Sequence, residues 1–337
     1  MHPRPVKKYW IISTLVGGCF LFSLLTACAS STPLPSTQVP KLSPTLLPPS
    51  ATSTLPAADL TGVPASTLPS ETSTSTPLPP DFWQKLPVIP DKVSDRMRAI
   101  YSLGLSLGNS PHVFSRIGDC NSAAPGFMVG FDGNYNLGTF TSLQPGVDYF
   151  KGSFKRPSLA AKAGLNTAGL LTTLWTGPEC QSNESLLDCQ YRLDHPSFAI
   201  IAIGSNETYY VHHDLISFER NLRLVIEDTL AHGIVPVLGT KADNLEGDNS
   251  INATIARLAV EYELPLWNFW RVAQTLPDLG LTDPSHLSSV SYTNFTDFSI
   301  PHAMDYGAQV HNLTALQMLD LLWQQIIVPA QAPTSTP

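Results

Sequence analysis

The chain has 337 residues, of which 14% are charged, and its formal net charge is −8. Of its 19 basic residues three precede Cys28, so a chain beginning there has 16 basic and 27 acidic residues and a formal charge of −11. Nucleic acids and anionic lipid surfaces attract basic proteins, so this charge argues against a nucleic-acid partner and against electrostatic binding to a membrane.

Residues 1–27 have the pattern of an export signal. Three basic residues precede an apolar run over residues 10–25, which is too short and too interrupted by polar and glycine residues to favour a transmembrane helix. The run ends in Leu-Thr-Ala-Cys at Cys28, which resembles the lipobox of bacterial lipoproteins, whose cysteine becomes the lipidated first residue. We therefore expect lipidation of Cys28 and an extracytoplasmic, membrane-anchored protein; an ordinary secretory signal or an uncleaved anchor are the alternatives.

Residues 28–80 consist mostly of Ser, Thr, Pro, Ala and Leu, with very few charges. Proline removes backbone donors and the apolar residues show no sustained period, so this segment is predicted to be a disordered stalk. It would extend by at most about 3.1 Å per residue. Residues 330–337 have the same composition and are predicted to be a disordered tail, which leaves residues 81–329 as one domain.

Within that domain the apolar patterns alternate between strands and helices. The predicted elements are a helix from Ser94 to Leu107, a strand over 113–117, a strand over 198–203, a helix over 214–231, a strand over 234–238, a helix over 251–261, a strand over 264–269 and a helix over 307–327. This order predicts an α/β fold, a three-layer doubly wound sandwich whose central sheet is mostly parallel and flavodoxin-like.

Three cysteines follow the predicted stalk. Cys180 and Cys189 flank a short polar loop, and in an exported protein we expect them to form a disulfide, with two free thiols as the alternative. Cys120 is then the unpaired thiol.

Three short segments lie where a doubly wound sheet would bring them together, at the carboxyl ends of strands or in the loop before the last helix. They are the turn over residues 118–122, which contains Cys120, the turn over residues 204–207, which contains Asn206, and the loop that contains Asp283 and His286.

This arrangement resembles the SGNH/GDSL hydrolase family over about residues 95–328. The family's Gly-Asp-Ser turn carries the nucleophile, a later Gly and an Asn complete the oxyanion hole, and an Asp-x-x-His pair supplies the base. Here Asn206 matches the Asn, Asp283 and His286 match the pair, and Gly164 is a loose match to the Gly. The sequence departs from the family at the nucleophile, which is Cys120, and after the Asn, where Glu207 replaces Asp.

The resemblance implies that His286 is the general base, oriented by Asp283, and that the N–H groups of Cys120 and Gly164 and the side chain of Asn206 bind the oxyanion. Three interpretations of Cys120 stay open. It is a thiol nucleophile, whose pKa a helix N-terminus and a neighbouring His can lower; or the site is inactive and binds a ligand; or Ser122 is the alternative nucleophile.

We therefore expect an extracytoplasmic acyl-ester hydrolase acting on acylated glycans or small esters, with no cofactor and no metal site. A surface binding module that keeps the fold without the chemistry is the second hypothesis, and a structural lipoprotein is the third.

Overall fold

The computed structural model describes residues 79–207 and 214–331. The predicted signal, lipidated Cys28, almost all of the predicted stalk and most of the predicted tail lie outside the described residues. Within the described ranges no helix is both long enough and apolar enough to cross a membrane.

A parallel sheet forms the centre of the described domain. Its strands are β1 (Ser110–Gly118), β2 (Pro196–Ala202), β3 (Val235–Gly239) and β4 (Leu266–Trp267), and they lie side by side in that order. A single parallel bridge joins Gly118 to Ala161. If the segment at Ala161 is counted as the second of five strands in chain order, the strands lie side by side in the order 2-1-3-4-5, which is the flavodoxin-like order. The order reverses between the strands labelled β1 and β2 here.

Helices surround this sheet. In chain order the α-helices of the described residues are α1 (Asp95–Ser106), α2 (Cys120–Ala123), α3 (Gln144–Tyr149), α4 (Thr167–Leu170), α5 (Leu186–Asp194), α6 (Leu215–Ala231), α7 (Ser250–Glu261), α8 (Phe269–Ala273), α9 (Gly307–Leu322) and α10 (Val328–Gln331). Short 3-10 turns cover Phe82–Lys85, Val129–Asp132, Thr141–Leu143, Pro277–Gly280 and Ala303–Asp305, and a π-helical turn, Trp323–Ile327, joins α9 to α10.

Burial of β2 explains why its sequence is almost continuously apolar. Phe198, Ala199, Ile200 and Ile201 are each at most 1% exposed, as expected for a strand covered on both faces. Helix α1 packs against β2 and β3, and its Gly104 meets the chain at Gly233 so closely that an added Cβ would lie 2.0 Å from the Gly233 carbonyl oxygen. The predicted doubly wound α/β fold is confirmed by this architecture.

Two helices begin at side-chain caps. The Ser94 hydroxyl, at the predicted start of α1, accepts a hydrogen bond from the Met97 N–H, and Asp214 caps α6 by accepting from the Ser217 N–H. The predicted strand over 264–269 is wrong in length, because Asn268 leaves the sheet: its side-chain amide donates to the carbonyl oxygens of Trp83 and Leu86. Phe269 then begins α8 rather than extending β4.

The long connection from β1 to β2 contains several short helices that the sequence patterns did not predict, including α5. The first turn of α5 carries the predicted disulfide, which is confirmed: Cys180 and Cys189 are bonded, and Cys189 is fully buried. Arg192 of α5 also forms an ion pair with Glu184, so the loop between the two cysteines is tied to the helix at two places.

We expect the paired replacement of Cys180 and Cys189 by Ala to lower the free energy of unfolding by about 2–3 kcal/mol, the chain-entropy value for a loop of this length. Chemical denaturation of both proteins measures it. Cys120→Ala is the control, because it removes a thiol and leaves the disulfide; equal midpoints for the paired variant and the native chain would contradict the expectation.

Candidate active site

The site is built where β1 and β2 end side by side. Gly118 closes β1 with φ at +154°, and a Cβ added there would lie 2.0 Å from the Ala202 carbonyl oxygen of β2. Only glycine allows the two strand ends to approach this closely. The next residue, Asp119, caps the short helix α2, which begins at Cys120.

Asp119 joins the turn after β1 to the turn after β2. One carboxylate oxygen accepts from the N–H groups of Gly204 and Ser205, each at 3.2 Å, and the other accepts from the Asn121 N–H at 3.3 Å. Burial raises the pKa of Asp119 to about 6, and the nearby Asp243 carboxylate acts in the same direction, while the three N–H donors oppose the shift.

Beneath this turn lies a buried ion-pair network. Lys241 contacts the carboxylates of Asp243 and Glu246 at 2.7 and 2.6 Å, and the Ser205 hydroxyl donates to Asp243 at 2.6 Å. Ser205 is therefore fixed by two carboxylates: Asp243 accepts from its hydroxyl group and Asp119 accepts from its backbone N–H.

Cys120 lies at the first position of α2 and is half-buried. Burial raises the pKa of its thiol to about 12, and the negative charge of Asp119 adds to that shift. The lowered pKa that a helix N-terminus suggested is therefore wrong for this residue. The thiol lies 3.9 Å from a carboxylate oxygen of Asp119, and among the described residues no hydrogen bond joins it to His286.

Ser122, the alternative nucleophile, is 1% exposed. Its hydroxyl donates to the Ala202 carbonyl oxygen at 3.0 Å and so binds α2 to the end of β2. This contact gives Ser122 a structural part in the turn, and its burial leaves the interpretation as a nucleophile without geometric support.

Asp283 and His286 lie at the tip of a small hairpin, which is closed by an antiparallel bridge between Leu281 and Leu287. The His286 Nδ1 atom lies 2.8 Å from one carboxylate oxygen of Asp283. Hydrogen bonds from the backbone N–H groups of Ser285 and His286, followed by the His286 side chain, hold the pKa of Asp283 down at about 2. The ionised carboxylate fixes the proton on Nδ1 and leaves Nε2 as the basic atom.

Asn121 fastens this hairpin to α2. Its side-chain amide donates to the Ser285 carbonyl oxygen at 3.0 Å, and its carbonyl oxygen accepts from the Leu287 N–H at 3.4 Å. The two bonds bracket His286 on both sides along the chain. His286 is thereby held beside the turn that carries Cys120, with about half of its side chain, 54%, exposed to solvent.

The predicted oxyanion residues meet at the same edge of the sheet. The Asn206 amide donates to the Leu165 carbonyl oxygen at 3.1 Å, which places it next to Gly164. Glu207, which is buried, accepts from the Thr167 N–H, and burial raises its pKa. The turn after β2 thus fixes the 164–167 segment at two points, and Glu207 has a scaffolding contact where the family carries Asp.

The structure therefore brings the turns of Cys120, Gly164 and Asn206 and the Asp283–His286 hairpin to one edge of the sheet. Sequence reasoning missed Asp119 as the link between turns and Asn121 as the clamp. An Asp directly before a helix is a recognisable capping signal, whereas no local pattern marks Asn121, whose partners lie more than 160 residues away.

Potential metal ligands among the described residues lie elsewhere. Asp188, Asp228 and His232 group together on α5 and at the end of α6, where His232 precedes the amino end of β3. That end is opposite the edge where the catalytic candidates meet. A second group, Cys180, Glu184 and Cys189, contains the disulfide, whose sulfur atoms are bonded to each other.

No protein-family model and no curated protein matches the chain. Solved structures with a similar fold do match it. A lipolytic protein of the G-D-S-L family from Desulfitobacterium hafniense is 16% identical, with 61% of this chain and 99% of that chain covered and a TM-score of 0.37. The psychrotrophic esterase EstA from a Pseudoalteromonas species is 14% identical, with 64% and 100% covered and a TM-score of 0.42.

An acetylxylan esterase from Geobacillus stearothermophilus is 15% identical, with 64% of this chain and 97% of that chain covered and a TM-score of 0.39. The first of these three structures is named for the family that the sequence motifs resemble.

The raised pKa of Asp119 predicts a pH-dependent stability. Between about pH 4 and pH 6 the folded chain holds a proton that the unfolded chain has released, so the free energy of unfolding falls as pH rises through this window. The total change is on the order of 3 kcal/mol. Denaturant titrations from pH 3 to pH 8 measure it against Asp119→Asn, which cannot titrate; parallel curves for the two proteins would contradict the assignment.

The raised pKa of Cys120 predicts a slow thiol. At pH 8 its alkylation by iodoacetamide should be about a thousandfold slower than that of an unburied cysteine, and the rate should rise about tenfold per pH unit up to pH 10. Mass mapping of the Cys120 peptide follows the reaction, with an unstructured cysteine peptide as the reference. A plateau near neutral pH would show a lowered pKa instead.

Proposed function

We propose that this chain is an acyl-ester hydrolase of SGNH/GDSL type, acting on acylated glycans or small esters, with His286 as its general base. The observation that carries the proposal is the clamp of Asn121 on both sides of His286. The clamp fastens the hairpin of His286 to the residue that follows Cys120, and the Asn206 contact with Leu165 brings the segment of Gly164 to the same strand edge, which supports a shared site.

Each residue then has one role in the reaction. His286 Nε2 takes the proton from the Cys120 thiol as the sulfur bonds to the ester carbonyl carbon, and the same proton passes to the departing alcohol as the C–O bond breaks. Water, deprotonated by His286, then attacks the thioester, and the acid and the thiol are released. Cys120 N–H, Gly164 N–H and the Asn206 amide are the proposed oxyanion donors, each contributing about 10²–10³ in kcat.

The raised pKa of Cys120 bears on the first step. A thiol with a pKa of about 12 is almost wholly protonated at neutral pH, so the attack depends on proton transfer to His286 in the same step. Since His286 is exposed and carries no hydrogen bond to Cys120 in the described residues, the contact has to tighten when the substrate displaces water from the cleft.

We also propose that the domain acts outside the cytoplasm, anchored through a lipid on Cys28 and extended from the membrane by residues 28–80. The lipobox-like sequence and the proline-rich composition support the anchor and the stalk. The Cys180–Cys189 disulfide supports export, because disulfides persist in oxidising compartments.

A ligand-binding module that keeps the fold without turnover is the second candidate. The specific observation in its favour is the environment of Cys120, where burial and Asp119 suppress the thiolate. The clamp of Asn121 on the His286 hairpin favours the hydrolase, because a binding cleft does not require an oriented base.

The decisive test replaces His286 by Asn and measures turnover of short acyl esters. Loss of the base should lower kcat by about 10²–10⁴-fold. His302→Asn is the matched control, since His302 also bonds to an Asp three residues later, Asp305, but on a different turn. Equal turnover by the native chain and His286→Asn would remove the hydrolase assignment.

Asn121 offers a second test, because it acts through His286. Asn121→Ala should lower kcat by up to about 10²-fold with a smaller change in KM, since it misplaces the base without removing it.

In the same assay Cys120→Ala should abolish turnover and Ser122→Ala should retain it. The opposite pattern at these two positions would transfer the nucleophile to Ser122, and a native chain without turnover would favour the binding module.

A further inference from the structure

An open groove lies directly beside the proposed oxyanion residue Gly164. It has a volume of about 260 Å³ and is lined by Gly164, Asn166, Ala168, Gly169, Thr172, Leu174 and Trp175. Gly164 belongs both to the candidate oxyanion hole and to the groove wall. Whatever occupies the groove therefore lies next to the carbonyl that the oxyanion donors would bind.

The groove lies on the segment that follows the partner of the last residue of β1. Gly118 pairs in parallel with Ala161, through hydrogen bonds from Gly118 N–H to Ala160 and from Lys162 N–H to Gly118. Because the two segments run in the same direction, Cys120 and Gly164 both emerge past that bridge at the same edge of the sheet. The groove continues from there over α4.

Its outer wall is held in place from several sides. The Lys162 ammonium group donates to the Trp175 carbonyl oxygen at 2.7 Å, and the indole packs so closely on Gly169 that a Cβ added there would lie 3.1 Å from its nitrogen. The Leu186 N–H donates to the Thr172 carbonyl oxygen, and the disulfide fixes the far end of the same loop. Leu174 is 86% exposed on this fixed wall, so its side chain is accessible to a ligand.

The polar side chains that line the groove are already engaged. The Asn166 carbonyl oxygen accepts from the Gly169 N–H at 2.9 Å, and the Thr172 hydroxyl donates to the Gly169 carbonyl oxygen at 3.3 Å. These bonds use only part of the hydrogen-bonding capacity of the two side chains, since an Asn amide also has two N–H donors. The rest of the lining is glycine, Ala168, Leu174 and the Trp175 indole, so most of the groove surface is apolar.

We propose that this groove binds the alkyl chain of the acyl group, so that the enzyme prefers medium-chain acyl esters to acetyl esters. This proposal rests on the proposed ester hydrolysis, because it takes the acyl carbonyl to lie at the Gly164 N–H. A groove of about 260 Å³ is much larger than an acetyl methyl group needs and leaves room for several further methylene groups.

Kinetics of a series of 4-nitrophenyl esters from acetyl to decanoyl tests the proposal on the full-length chain. The kcat/KM should rise by two- to fourfold per methylene up to about hexanoyl or octanoyl and then level off. Leu174→Ser should lower the ratio of hexanoyl to acetyl turnover about fivefold or more, and Ala168→Trp, which fills the groove from the exposed face of α4, should bring that ratio close to one. Leu107→Ser is the control, since Leu107, the residue after α1, is also exposed, at 55%, and lies outside the groove.

A binding measurement that needs no turnover separates the groove from the reaction. Saturation-transfer NMR should detect hexanamide but not acetamide on the native chain, with the hexanamide signal lost in Leu174→Ser and retained in Leu107→Ser. If no ester is hydrolysed but hexanamide binding depends on Leu174, the hydrolase assignment fails and the groove remains an alkyl site.

Two outcomes overturn the groove assignment itself. One is ester turnover with a flat chain-length profile that neither Leu174→Ser nor Ala168→Trp changes. The other is faster turnover of an acetylated xylo-oligosaccharide than of any longer acyl ester, with that preference lost in Leu174→Ser, which would make the groove a sugar site.

Discussion

The carboxylate of Asp119 is the contact on which the arrangement of the site depends. It is buried and accepts hydrogen bonds from the backbone of its own turn, at Asn121, and of the neighbouring turn, at Gly204 and Ser205. Because the residues on either side of these donors include Cys120 and Asn206, one carboxylate sets the distance between the nucleophile turn and the oxyanion turn. A buried acid with three backbone donors is strongly constrained in position, since each donor would otherwise lose its partner.

The same carboxylate limits the chemistry that it organises. Its negative charge lies close to the thiol of Cys120 and adds to the desolvation that keeps the thiol protonated. An alcohol nucleophile attacks with its proton leaving in the same step and never needs to be ionised beforehand, so an acidic neighbour harms it less. At the position proposed for the nucleophile, the site therefore has a sulfur atom in surroundings that suppress the thiolate, and for this reason the hydrolase and the binding module both find support.

Local patterns were sufficient to predict much of the fold and part of the site. The apolar run of β2, the cap at Ser94 and the Asp283–His286 spacing each depend on neighbours within a few residues. Contacts between distant segments could not be predicted from local patterns. Asn268 leaves the sheet because its side chain bonds to the carbonyl oxygens of Trp83 and Leu86, and the Asn121 side chain bonds to the carbonyl oxygen of Ser285. The raised pKa of Cys120 was also not predictable, because its cause is burial by neighbouring segments, which a helix start does not reveal.

The distance along the chain between Asn121 and Ser285, 164 residues, has a consequence for the order of folding. The ends of β1 and β2 can associate once the chain has been synthesised past Ser205, but His286 has no place to dock until the hairpin over residues 281–287 follows. Closing so long a loop is slow compared with forming a helix or an adjacent strand pair. The bond between Asn121 and this hairpin can therefore form only after most of the domain has been synthesised.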